Sequence, residues 1–145
     1  MRIIVTESIA LEGIEQLKKD GFDVDVRFGI AYEELLDIIQ DYDAIIVRSV
    51  TQVNKQLMEK GTKLKVVGRA GNGVDNIDLQ TATDKGIIVV NTPESNSMAA
   101  ARVLSLVILI LVNGMCDNTE TSTTEEATSA PPIDLCRDAM LETII

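Results

Sequence analysis

The stretch Leu64-Lys-Val-Val-Gly-Arg-Ala-Gly-Asn-Gly-Val-Asp-Asn-Ile-Asp78 is an apolar run that empties into a glycine-rich loop carrying an arginine, with helix-forming polar residues after it. A short β-branched run bounded by glycine reads as a buried strand. A chain leaving the carboxyl end of a parallel strand is where open α/β sheets hold their ligands. Gly71 and Gly73 let backbone N–H groups approach an anion, and Arg69 is the charge to pair with it.

Working outward, the same strand–loop–helix order repeats. Arg2 to Thr6, Asp23 to Phe28, Ala44 to Val47, Leu64 to Gly68 and Ile87 to Val90 read as strands. Between them, Leu11, Ile14 and Leu17 mark one amphipathic helix and Leu35, Leu36, Ile38 and Ile39 a second, with shorter helical stretches at Asn54 to Lys60 and Leu79 to Lys85. Gly21 and Gly86 each stand just past a lysine-bearing helical stretch, the position of a C-terminal cap. Such βαβ alternation predicts an α/β fold: a parallel sheet with helices on both faces.

Past Asn91-Thr-Pro93 the pattern changes. A helix apolar nearly all round is predicted from Ser97, a candidate cap, through Val112, and it needs burial on several sides. Its core, Val103 to Val112, is about half of the roughly 20 residues a membrane span requires, and Arg102 bounds it. Residues 118–132 are almost free of apolar side chains and read as a flexible linker, and Ile133 to Ile145 hold the apolar residues of one short amphipathic helix.

Composition narrows the function. At 145 residues the chain can bury one sizeable core, and its net charge of −10 with scattered cations excludes a nucleic-acid or anionic-membrane surface. Two cysteines, Cys116 and Cys136, form neither a disulfide framework nor a metal motif. Met1 to Glu7 is too short and too acidic for a signal peptide and reads as a first strand in a cytoplasmic protein.

Three loops leave the carboxyl ends of successive strands: Arg48-Ser-Val-Thr51, Arg69-Ala-Gly-Asn-Gly73 and Asn91-Thr-Pro-Glu-Ser-Asn96. Parallel strands bring all three to one edge, where two arginines predict a small substrate with more than one anionic group. Each element also has a plainer reading. Arg48 alone is as well explained by a nearby carboxylate, Gly71 and Gly73 by a tight turn, Asn96 by helix entry, and Asp75 and Asp78 by first-turn acids on a helix dipole. Gly71 to Asn76 is not the dinucleotide fingerprint, which needs G-x-G-x-x-G/A on the first βα turn. A receiver-type signalling domain is set aside because Arg48, not aspartate, follows the third strand.

Ile46-Val-Arg-Ser-Val-Thr51, the Leu64 to Asp78 stretch, Ala82-Thr-Asp-Lys-Gly-Ile-Ile-Val-Val-Asn-Thr-Pro93 and Asn96-Ser97 resemble the amino-terminal part of the D-isomer-specific 2-hydroxyacid dehydrogenases, on their phosphoglycerate branch. The resemblance covers residues 1 to about 101. It implies a flavodoxin-like substrate-binding domain over residues 1–97, the family's interdomain helix over 98–112, and a tail over 113–145 without family resemblance. It also implies that Arg48 and Arg69 hold substrate phosphate or carboxylate. Ser49, Gly73, Val74 and Asn96 would line that cleft, and Asn72 would border the nicotinamide.

The family reaction oxidises 3-phosphoglycerate to 3-phosphohydroxypyruvate with NAD, opening serine synthesis, and uses a histidine, an acid and an arginine on a second domain. No histidine and no G-x-G-x-x-G after residue 101 occur here. The expectation is therefore a truncated or frame-disrupted product, inactive alone and binding no NAD. The alternatives are an anion-binding or regulatory module, free to form homo-oligomers or to pair with a full-length subunit, and a non-functional remnant.

Overall fold

The computed structural model describes residues 1–92. Asn96, the 98–112 helix, the 113–145 tail and both cysteines lie outside the described residues. The elements run β1 (Arg2–Val5), α1 (Leu11–Lys19), β2 (Asp23–Val26), α2 (Tyr32–Ile38), a 3-10 turn (Ile39–Asp41), β3 (Ala44–Val47), α3 (Lys55–Lys60), β4 (Val66–Arg69), α4 (Leu79–Asp84) and β5 (Ile88–Asn91).

The five strands form one parallel sheet in the order β2-β1-β3-β4-β5, the doubly wound order whose switch point lies between β1 and β3. Central strands are apolar on both faces because both faces are covered: β3 (Ala-Ile-Ile-Val) and β4 are buried throughout. On one face Ile4, Ile45, Val47 and Val67 pack with Leu35, Leu57, Met58 and Ala82 from α2, α3 and α4 and with Ile39 of the 3-10 turn. On the other, Ile3, Val5, Ala44, Ile46, Val66 and Val90 pack with Leu17 of α1.

The edge strands differ from the centre and from each other. Asp23 and Asp25 of β2 take salt bridges from Arg2 and Arg27, both at 3.2 Å. β5 is the uncharged run Ile-Val-Val-Asn.

The helix ends follow local chemistry. Gly21 and Gly86 have φ of 89° and 66°, a conformation glycine adopts without steric cost. Paired bonds close each helix: Phe22 N to Leu17 O with Gly21 N to Lys18 O, and Ile87 N to Ala82 O with Gly86 N to Thr83 O. Both are Schellman caps. At the other ends, Asn54 accepts from Leu57 N at 3.1 Å and Asp78 from Thr81 N at 3.0 Å.

Several expected boundaries shift, β1 ending at Val5 and β5 running Ile88–Asn91. β2 stops at Val26, because Gly29 turns the chain at φ 72° and returns its N–H to Thr6 O. β4 starts at Val66, since Leu64 N closes a turn onto Gly61 O, and it extends through Arg69, which is thus a strand residue. α4 starts only at Leu79, so Asp75 lies in the preceding loop and is no first-turn acid; Asp78 is that helix's cap.

Candidate functional site

The register of β3, β4 and β5 places Val47, Arg69 and Asn91 side by side at the carboxyl edge of the sheet. Arg69 is 8% exposed. Its Nε donates to the main-chain carbonyl of Arg48 at 2.9 Å, and its Nη1 to the carboxylate of Asp75 at 2.7 Å. A buried arginine needs such partners, because unpaired donors there forfeit their hydration. Two of its five donors are taken in these bonds. Asp75 is held below the ordinary carboxylate range, first by the hydrogen bond from Arg69.

The loops after β3 and β4 are stitched together. Val53 and Ile77 form a parallel bridge, with Val53 N donating to Asn76 O at 2.8 Å and Asp78 N to Val53 O at 3.0 Å. Asn76, also buried, donates its Nδ2 to Arg48 O at 3.0 Å and to Thr51 O at 2.7 Å. Arg48 O therefore accepts from both Arg69 and Asn76. Among the described residues the Oδ1 of Asn76 has no partner.

On the β1 side, the Glu7 carboxylate receives four successive main-chain N–H groups of the β3 loop. Arg48 and Thr51 donate to Oε1 at 2.9 Å, and Ser49 and Val50 to Oε2 at 3.2 and 3.1 Å. Burial acts to raise the pKa of Glu7, but bonds from the N–H groups of Thr51, Arg48 and Val50 outweigh it, and the carboxyl ends below its ordinary value.

The structure brings Arg48, Ser49 and Arg69 to one edge. Arg48 and Ser49 are exposed, and among the described residues the Arg48 guanidinium is not tied to a carboxylate: its Nη1 donates to Ser8 O at 3.3 Å. Asn72 is exposed at the tip of the β4 loop, and Val74 is half-buried against the core. Gly73 does not have a positive φ. It is glycine for space, since a Cβ there would meet Arg69 Nη1 and Asp75 Oδ1 at 2.6 Å each. At Gly71 the nearest atom to an added Cβ is Arg69 Nε at 4.0 Å, so no protein atom requires glycine there.

Glu7 and Asn76 were missed by reading the sequence. The one signal for Glu7 was its place directly after a strand on the ligand edge.

Beside the β3 loop, Ile30, Tyr32, Leu35, Val50, Thr51, Gln52 and Asn54 line an open cleft of about 360 Å³. Within this lining Tyr32 Oη donates to Asn54 Oδ1 at 2.6 Å. Leu11, Phe28, Val50 and Leu79, the large apolar side chains exposed among the described residues, all begin helices or sit in loops at this sheet edge. Among the described residues no group of three or more His, Cys, Asp or Glu is arranged for a metal, and no helix is long and apolar enough to cross a membrane. The described residues do not fit a dinucleotide either. The first βα turn, Thr6 to Ala10, has no glycine, and Glu7 puts a carboxylate where a pyrophosphate would need N–H donors.

The family model described as the D-isomer specific 2-hydroxyacid dehydrogenase catalytic domain matches residues 3–130. A D-3-phosphoglycerate dehydrogenase of Synechocystis is 48% identical over 100 residues, 69% of this chain and 18% of the relative. One of Archaeoglobus fulgidus is 44% identical over 101 residues, 70% of this chain and 19% of the relative. The chain thus spans about a fifth of the length of the curated relatives it matches. Among solved structures, the NAD+-bound 3-phosphoglycerate dehydrogenase of Entamoeba histolytica superposes with a TM-score of 0.59 at 28% identity, over 87% of this chain and 43% of the other. A protein of Pyrococcus horikoshii gives 0.62 at 29% identity, over 81% and 38%.

Proposed function

Since the chain belongs to the D-isomer specific 2-hydroxyacid dehydrogenase family, we propose that it is the substrate-holding part of a phosphoglycerate dehydrogenase. Its ligand is 3-phosphoglycerate, held on the edge formed by Arg48, Ser49 and Arg69. The observation that carries this reading is the anchoring of Arg69. A nearly buried guanidinium, fixed by Arg48 O and Asp75, keeps its remaining donors for a ligand at the carboxyl ends of the strands. The guanidinium of Arg48, paired with no carboxylate among the described residues, supplies the second positive charge that a doubly anionic ligand requires.

In this reading Gly73, Val74 and Asn96 border the ligand. Asn72 borders a nicotinamide contributed by another part of a longer protein. The reaction of that longer protein is the NAD-dependent oxidation of 3-phosphoglycerate to 3-phosphohydroxypyruvate, in the cytoplasm. The 145 residues contain no histidine to accept the hydroxyl proton, so this chain alone binds without turnover. The apolar rim of Leu11, Phe28, Val50 and Leu79 suits an edge closed over by further protein.

Isothermal titration of the chain tests the proposal. Saturable heat with 3-phosphoglycerate, much weaker binding of D-glycerate, which lacks the phosphate, and no binding of NAD are expected. Equal affinity for 3-phosphoglycerate and D-glycerate, or none for either, would overturn it.

A further inference from the structure

We propose that Glu7 is the positioning residue of this anion site: its carboxylate fills the backbone cradle of the β3 loop, so that the loop meets a ligand with the side chains of Arg48 and Ser49 and not with its own N–H groups. The inference rests on the reading of this edge as an anion site and adds how its loop is held.

Consecutive main-chain N–H groups that converge on one point make an anion-binding concavity. In this chain the four N–H groups of residues 48–51 converge on Glu7, at 2.9 to 3.2 Å for the shortest bond of each. That cradle is satisfied from within, and a ligand oxygen finds no donor left in it. The two ends of the loop are clamped from both sides. Arg48 gives its N–H to Glu7 and its carbonyl to Asn76 and Arg69, and Thr51 gives its N–H to Glu7 and its carbonyl to Asn76. With N–H and C=O both fixed, the dihedrals at these two residues are set, and the exposed side chains between them start from defined directions. Such ordering before binding removes an entropic cost at the moment of binding.

A glutamine at position 7 has the same shape but one acceptor oxygen in place of two, and it turns an NH2 toward donors. Glu7→Gln should therefore weaken 3-phosphoglycerate binding about tenfold, as loss of charge-assisted hydrogen bonds does. The unfolding transition should stay cooperative. Glu7→Ala empties the cradle, and acetate or formate added to that variant should occupy it and restore part of the affinity, whereas the same salts should not improve binding by the unsubstituted chain. A merely structural glutamate would lower the midpoint of unfolding without this carboxylate rescue.

Amide hydrogen exchange keeps the two readings separable. In the unsubstituted chain the amides of 48–51 should be protected, and Glu7→Gln should speed their exchange at least about tenfold with little change in β3. If the unsubstituted chain fails to bind 3-phosphoglycerate, the substrate reading fails and the positioning role falls with it, whereas a chain that binds but shows unprotected 48–51 amides overturns the role of Glu7 alone. Unprotected 48–51 amides in the unsubstituted chain, or Glu7→Gln binding with unchanged affinity, would overturn the proposal. Should Glu7→Gln not fold, protection in the unsubstituted chain and carboxylate rescue of Glu7→Ala remain to judge it.

Discussion

The guanidinium of Arg69 is seated on the main-chain carbonyl of Arg48 at 2.9 Å, so the two cations of the site are joined through a neutral acceptor and not set charge against charge. Arginine is needed for this, because one planar fork reaches Arg48 O and Asp75 at once, which a lysine ammonium on its flexible stem does not. Arg69→Ala is expected to weaken 3-phosphoglycerate binding by about 1.5–3 kcal/mol, and Arg69→Lys to recover only part of it. Titration calorimetry on both variants checks this; full recovery by lysine would mean that charge alone suffices.

Gly73 and Gly71 separate steric need from turn preference. An alanine Cβ at 73 would stand 2.6 Å from both partners of the Arg69–Asp75 pair, whereas at 71 the nearest atom, Arg69 Nε, is 4.0 Å away. Gly73→Ala should cost about 1–3 kcal/mol of stability, as overpacking does, and weaken ligand binding with it. Gly71→Ala should leave both nearly unchanged. Urea unfolding of the two single variants decides the matter.

Asn76 ties the two ligand loops together through Arg48 O and Thr51 O. Asn76→Ala strands the Thr51 carbonyl and should destabilise the fold by about 1–3 kcal/mol. Asn76→Asp should be worse, because a carboxylate would face two carbonyl oxygens. Denaturant midpoints at neutral pH give the order; a milder aspartate variant would contradict the hydrogen-bond assignment.

Acid should loosen the fold in a predictable direction. For Glu7, burial pulls upward but the donated main-chain bonds win, and for Asp25 the hydroxyl of Tyr42 is the leading cause; both carboxyls lie below their ordinary values. A carboxyl with a lowered folded pKa contributes stability in full above its unfolded value, near 4.5 for Glu7, and loses it as the pH falls through the folded value. Tyr42 is shifted up, by burial and then by its bond to Asp25, so its contribution is complete below its ordinary value of 10.0 and declines above it. Unfolding free energies across a pH series should thus show a plateau between these limits, and Glu7→Gln should flatten the acid limb.

Much of the fold was legible because its signals are local. Five β-branched runs, two amphipathic helices and the glycines at 21 and 86 read correctly, since strand burial, helical period and the left-handed cap each leave a mark within a few residues. The strand ends at Phe28 and Leu64 slipped where a turn bond competes with an apolar side chain for the same backbone. In the site, placing Arg48, Ser49 and Arg69 on one edge required only parallel topology. Glu7 and Asn76 were unreadable for a different reason: their partners are backbone groups, 41 residues away from Glu7 and 28 from Asn76, and a backbone amide has no sequence signature. Asp75 misled because its spacing suited a helix start that lies beyond it, while its true partner is a buried side chain behind it.

The unequal edges of the sheet give it a direction of growth. At β2, Asp23 and Asp25 with their arginine partners place alternating charge along the rim, and a second strand laid there would have to strip water from those groups. At β5, Ile88 to Asn91 offers neither charge nor proline to an arriving backbone. Among the described residues, the β5 rim is thus the side on which an added backbone would displace less charge.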